Sequence, residues 1–146
     1  MLPYMWDAQG KMLYKPAAVM VNGTTIFTIT GGPILIEAIG CVCITANDAT
    51  ASTLQYSADG DVGAATTITG ASASLATAAA GTLVTAVAGT LATAPAVYAN
   101  GVGIAGTVGI IVPAGIITTV VGVGSTTGTW RQFIRYRPLV DGVTVV

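Results

Sequence analysis

No histidine occurs among the 146 residues of this chain. That absence removes the commonest general base and the usual partner of a nucleophilic serine or cysteine. It also removes one of the two main zinc ligands. Only two cysteines are present, Cys41 and Cys43, flanking Val42. On a strand, residues two apart share a face, and a disulfide between them would be strained. A metal site would need further Cys or His partners, and the sequence has none to give. The pair reads as two small apolar core residues held as free thiols, which fits synthesis in a reducing cytoplasm.

Charge is the second shortage. Charged residues make up 8% of the chain, against roughly 25% in an ordinary soluble domain. Between Asp61 and Arg131 there is not one charged side chain. Net charge is −1, so the basic footprint of a nucleic-acid-binding protein is missing. Aromatics are only 6%. The N-terminal "MLPYMWDAQGK" lacks a basic region followed by an apolar run, so no signal peptide is expected.

What fills the space is Gly, Ala, Thr and Val, with hydrophobic residues at 53%. A lone subunit has too few charges to cover itself, so copies of the chain or a partner are expected to bury much of its surface. The uncharged run "GVGIAGTVGIIVPAGIITTVVGVG" from Gly101 to Gly124 is long enough to span a membrane. Against that, Pro113-Ala114-Gly115 is a turn signal, glycines recur, and Val and Ile dominate. The run reads as strands, and no membrane partner is expected.

Residues 1–16 read as an extended N-terminal arm carrying Tyr4, Trp6 and Tyr14, and aromatic arms dock onto something. From residue 17 to residue 146 the pattern is a single β domain. Short runs such as "TIFTIT", "ILIEAIGCVCITA" and "IITTVVGVG" are separated by Asn-Gly, Gly-Gly-Pro and Pro-Ala-Gly turns. The long run is expected to bend at Gly40. The one helical candidate is "SASLATAAAG", with a serine cap and Gly81 at its end. The fold class is therefore all-β: a β-sandwich or jelly-roll-like subunit with an arm and at most one short helix.

Little in the sequence carries catalytic chemistry. Asp59 and Asp61 in "SADGDVG" are the only neighbouring acids, too few for a calcium loop, and read as a solvated hairpin turn. No serine sits in a Gly-x-Ser-x-Gly elbow. The "GVGIAGTVG" stretch lacks the strand and helix context of a dinucleotide loop. No enzyme activity, cofactor or metal is expected.

The basic residues are concentrated instead. Arg131, Arg135 and Arg137, three of the five, lie in "TWRQFIRYRPL". Read with period two, Arg131, Phe133, Arg135 and Arg137 share one face and Trp130, Gln132, Ile134 and Tyr136 the other. The apolar bulk of the second set sends it to the core. The three guanidiniums then form an outer stripe around Phe133, suited to carboxylates and aromatic faces. Glu37, alone in the apolar "ILIEAIG", is a candidate partner for one of them, and carboxylates outside the subunit are expected for the rest. The candidate protein-contact residues are Tyr4, Trp6, Tyr14, Glu37, Arg131, Phe133, Arg135 and Arg137.

The early "IFTITGGPILIEAIGCVCITA" and the late "GSTTGTWRQFIRYRPLVDGVTV" together resemble small structural proteins of tailed bacteriophages, of the head-decoration or cement type. The resemblance covers about 20 residues at each end of the β region. It implies a sandwich or jelly-roll subunit, often trimeric, seated on the major capsid protein at the surface of the phage head, and it carries over no defined functional residue. A head-fibre or tail-fibre component binding a host glycan is the alternative, and a membrane-active protein of the holin kind a third reading.

Overall fold

The computed structural model describes residues 10–86, 91–99 and 109–146. The described residues form strands and turns, with no helix. The strands are β1 (Lys11–Tyr14), β2 (Thr24–Thr30), β3 (Ile34–Cys43), β4 (Thr53–Gly60), β5 (Thr66–Thr67), β6 (Leu83–Thr85), β7 (Ala96–Tyr98), β8 (Ile110–Val112), β9 (Gly115–Gly122), β10 (Trp130–Pro138) and β11 (Thr144–Val145). One sheet runs β1-β10-β3-β6-β7, with β8 also paired to β3; the other runs β11-β2-β9-β4-β5. Every pairing is antiparallel. The architecture is a β-sandwich, as the turn-punctuated Val/Ile/Thr pattern predicts.

Residues of both inner faces make one core, including Phe27, Ile29, Ile34, Ile36, Ile39, Leu54, Tyr56, Ile117, Trp130 and Ile134. The pattern of β3 explains how one strand serves it throughout. Ile34 and Ile36 face inward on even positions, and Ile39, Cys41 and Cys43 on odd ones. A period-two strand cannot do both without an extra residue. The extra residue is Glu37: Ala38 pairs with Arg135 and Ile36 with Tyr136, leaving Glu37 unmatched. The irregularity is thus at Glu37 rather than at Gly40. Gly40 has another task, since the Cβ of any larger residue there would lie 2.3 Å from the Val84 carbonyl oxygen.

The Ala-rich stretch at 72–81 is a succession of turns and not the helix expected there. Its backbone groups are taken by β4 and its approach: Ser72 N donates to Leu54 O at 2.8 Å and Leu75 N to Ser52 O at 2.8 Å. Ser72 does not cap a helix, because its hydroxyl accepts from Leu54 N. Helix propensity in a short Ala-rich segment is worth little against such tertiary pairing.

No helix among the described residues is long and apolar enough to cross a membrane. The described part of the 101–124 run is β8, a turn at Pro113 and β9. Cys41 and Cys43 are free and buried, as expected. Burial pushes the Cys41 thiol far above its ordinary value, and the Tyr56 hydroxyl beside it only partly offsets this. Burial raises Cys43 and Tyr56 as well. The unfolded chain releases thiol protons near the ordinary value of 9.0 while the folded chain keeps them. The thiols' contribution to stability is therefore expected to be constant below about pH 9 and to be lost as pH rises beyond it. Denaturant titrations at pH 7 and pH 10 check this, and a thiol reagent should label neither cysteine before unfolding.

A candidate protein-contact face

The period-two reading of β10 holds along its length. Trp130, Gln132, Ile134 and Tyr136 are buried, and Arg131, Arg135 and Arg137 are exposed on the opposite face. Phe133 departs from simple alternation: it lies on the arginine face yet is 7% exposed. Two neighbours bury it. Gly40 of β3 is its register partner and offers no side chain, so the ring settles over the strand. Tyr14 of β1 pairs with it from the other side, ring centroids 6.4 Å apart and tilted by 50°.

The bulge at Glu37 sets the electrostatics. Its carboxylate lies between two guanidiniums, Oε2 at 3.0 Å from Arg135 Nε and Oε1 in contact with Arg137 Nε. Glu37 keeps 13% of its side-chain exposure, whereas Arg135 keeps 53% and Arg137 45%, so the outer parts of both forks face solvent. The expected pairing of Glu37 with one arginine is thus a pairing with two. It also corrects the expectation for Arg135 and Arg137, which meet a carboxylate of their own subunit first. One carboxylate does not neutralise two guanidiniums. Arg131 has no ion-pair partner among the described residues.

Gly10 closes over this cluster. A Cβ there would meet Glu37 Oε2 and Arg135 Nε, so a larger residue would push the carboxylate and guanidinium aside. The segment read as an arm therefore divides. Lys11–Tyr14 is edge strand β1 of this sheet, while Tyr4 and Trp6 lie outside the described residues. Among the candidates, the fold brings Tyr14, Glu37, Arg131, Phe133, Arg135 and Arg137 onto one outer face. Met12 belongs to the same face, 47% exposed and paired with Arg135. The sequence reading missed it because β1 was not read as a strand.

The outer face of the second sheet is chemically different. Thr28, Thr30, Thr53, Gln55, Ser57 and Thr118 stand on it, and no cation does. A cavity of about 260 Å³ opens between the β1–β2 connection and the core, with Trp130 and Gln132 in its wall. Among the described residues no cluster of His, Cys, Asp or Glu is suited to hold a metal. No family model matches the chain, and neither does any curated protein or solved structure.

Proposed function

We propose that this chain is a non-enzymatic structural protein of a tailed-phage virion. It is made in the host cytoplasm and binds the major capsid protein on the head surface as a homo-oligomer, for which a trimer is the expected form. The observation that carries the reading is the exposed Arg131/Arg135/Arg137 stripe around Tyr14 and Phe133, on a sandwich otherwise almost bare of charge. Arginines and aromatics are what protein interfaces are enriched in, and half-exposed guanidinium forks suit carboxylates of another molecule. The virion setting comes from the resemblance of the two terminal β segments to phage decoration proteins. The mechanism is multivalent clamping, in which a symmetric oligomer touches several capsid subunits and weak contacts add through effective concentration.

The fibre reading is less well supported. Of the two tryptophans that could stack on a sugar, Trp130 is 1% exposed within the core and Trp6 lies outside the described residues.

Cosedimentation with capsids stripped of this protein tests the proposal. The intact chain should bind. Arg135→Gln/Arg137→Gln should remain folded though less stable, since it leaves Glu37, 13% exposed, without its counter-ions, and should bind about tenfold more weakly. Added salt should reproduce the loss with the unaltered chain. Undiminished attachment of the double variant, or no attachment of the intact chain, would overturn the proposal.

A further inference from the structure

The charges of this chain are sorted by sign. All five basic residues, Lys11, Lys15, Arg131, Arg135 and Arg137, lie on β1, its immediate flank or β10. The only acid among the described residues of that sheet is Glu37. The other described acids are elsewhere: Asp48 follows β3, Asp59 is the last residue but one of β4, Asp61 follows that strand, and Asp141 follows β10. Asp59 and Asp61 are exposed, and neither side chain has a hydrogen bond or ion pair among the described residues. The molecule thus carries surplus arginines on one face, with Lys11 and Lys15 on the other side of the same sheet, and unspent carboxylates at another place.

The two places also match in their apolar parts. Beside the Asp59-Gly60-Asp61 turn lies a groove of about 210 Å³ lined by Val62, Leu91, Ile111 and Pro113. Val62 is 90% exposed and Ile111 66%. On the arginine face, Met12 and Tyr14 stand out from the stripe at 47% and 59% exposure. Each surface is an apolar patch edged by charge, and the charges are opposite.

We infer that the arginine face of one copy docks on the Asp59–Asp61 turn and adjoining groove of a second copy. This rests on the proposed reading of that face as a protein contact and names its occupant. The stripe does not pair with itself, because like charges set opposite each other repel. Joining two different patches makes the interface heterologous, and such an interface closes into a ring when its rotation allows, a trimer being among the smallest. The arginines then find outside carboxylates on a second copy, and the Gln variants lose capsid attachment because the multivalent clamp they hold together comes apart.

Sedimentation velocity at micromolar concentration and low salt tests the inference. The intact chain should sediment as an oligomer. Asp59→Lys/Asp61→Lys should stay folded, because the turn is exposed, and should weaken self-association about tenfold or more. Adding Arg131→Glu to that variant should recover part of the loss, since Arg131 has no partner within its own subunit among the described residues. A monomeric intact chain, or a lysine variant that sediments like it, overturns the inference. If the lysine variant associates normally while the Gln variants still lose capsid attachment, the docking assignment fails and the proposed function stands. If the lysine variant dissociates while the intact chain ignores capsids, the docking assignment stands and the proposed function fails.

Discussion

Replacing Gly40 with alanine is expected to lower the stability of the folded chain by about 3 kcal/mol, the upper range for overpacking a filled site. The added Cβ would stand 2.3 Å from Val84 O, 2.9 Å from Thr85 Cα and 2.9 Å from Phe133 Cζ. Two of those atoms are backbone of β6, so rotating a side chain does not relieve the clash. Strands β3 and β6 must separate, or β3 must shift against β10. Either motion disturbs the pairing of Gly40 with both Thr85 and Phe133. Denaturant unfolding measures the loss, and the tilted Tyr14–Phe133 contact gives a second signal in near-ultraviolet circular dichroism. Gly124→Ala is the control, because its Cβ would meet only Thr50 Cγ2 at an ordinary 3.7 Å. Equal effects from the two substitutions would show that the close packing at Gly40 is not what holds β3 to β6.

Gly40 also marks what the sequence could and could not disclose. Alternation along "TWRQFIRYRP" separated core from surface correctly, because one strand with one buried face leaves a local trace. The same logic was available in "ILIEAIGCVC", where apolar residues change parity across Glu37-Ala38. That change signals a bulge, and a glycine two residues further on drew the bend to the wrong place. The burial of Phe133 left no local trace at all. It depends on Tyr14, far away along the chain, reaching β10 as part of strand β1. The turns at 72–81 failed for a related reason. Alanine content and a serine are local cues, whereas the backbone of β4 and its approach, which claims Ser72 and Leu75, is a tertiary one. The arginine stripe was legible. That Glu37 would take two of its arginines was not, because the bulge that aims one carboxylate between two guanidiniums is a property of the paired strands.

Asn47→Ala is expected to cost about 3 kcal/mol, since it leaves the buried Gly128 N and Leu75 O without partners. Asn47 is 6% exposed and sits in the connection that follows β3. Its Oδ1 accepts from Thr127 N at 2.8 Å, from Thr127 Oγ1 at 3.1 Å and from Gly128 N at 3.0 Å. Its Nδ2 donates to Leu75 O at 3.0 Å. One amide therefore ties the turns around Leu75 to the two residues that lead into β10. Alanine removes all four bonds and adds none, and Gly128 N, being buried, has no water to replace the lost acceptor. Asn47→Asp should lie between, keeping an acceptor for Thr127 and Gly128 but losing the donor to Leu75. Asn22→Ala gives the scale for a single part-buried bond, since Asn22 Oδ1 accepts from Val121 N at 3.1 Å, and should cost about 1 kcal/mol. Denaturant midpoints should fall most for Asn47→Ala, less for Asn47→Asp and least for Asn22→Ala. Because Asn47 fixes where β10 begins, its replacement by alanine should also loosen the arginine face, seen as faster amide exchange at Arg131 than at Thr118 of the other sheet. Uniform exchange across both sheets would mean that Asn47 stabilises the fold as a whole and does not hold the arginine strand in particular.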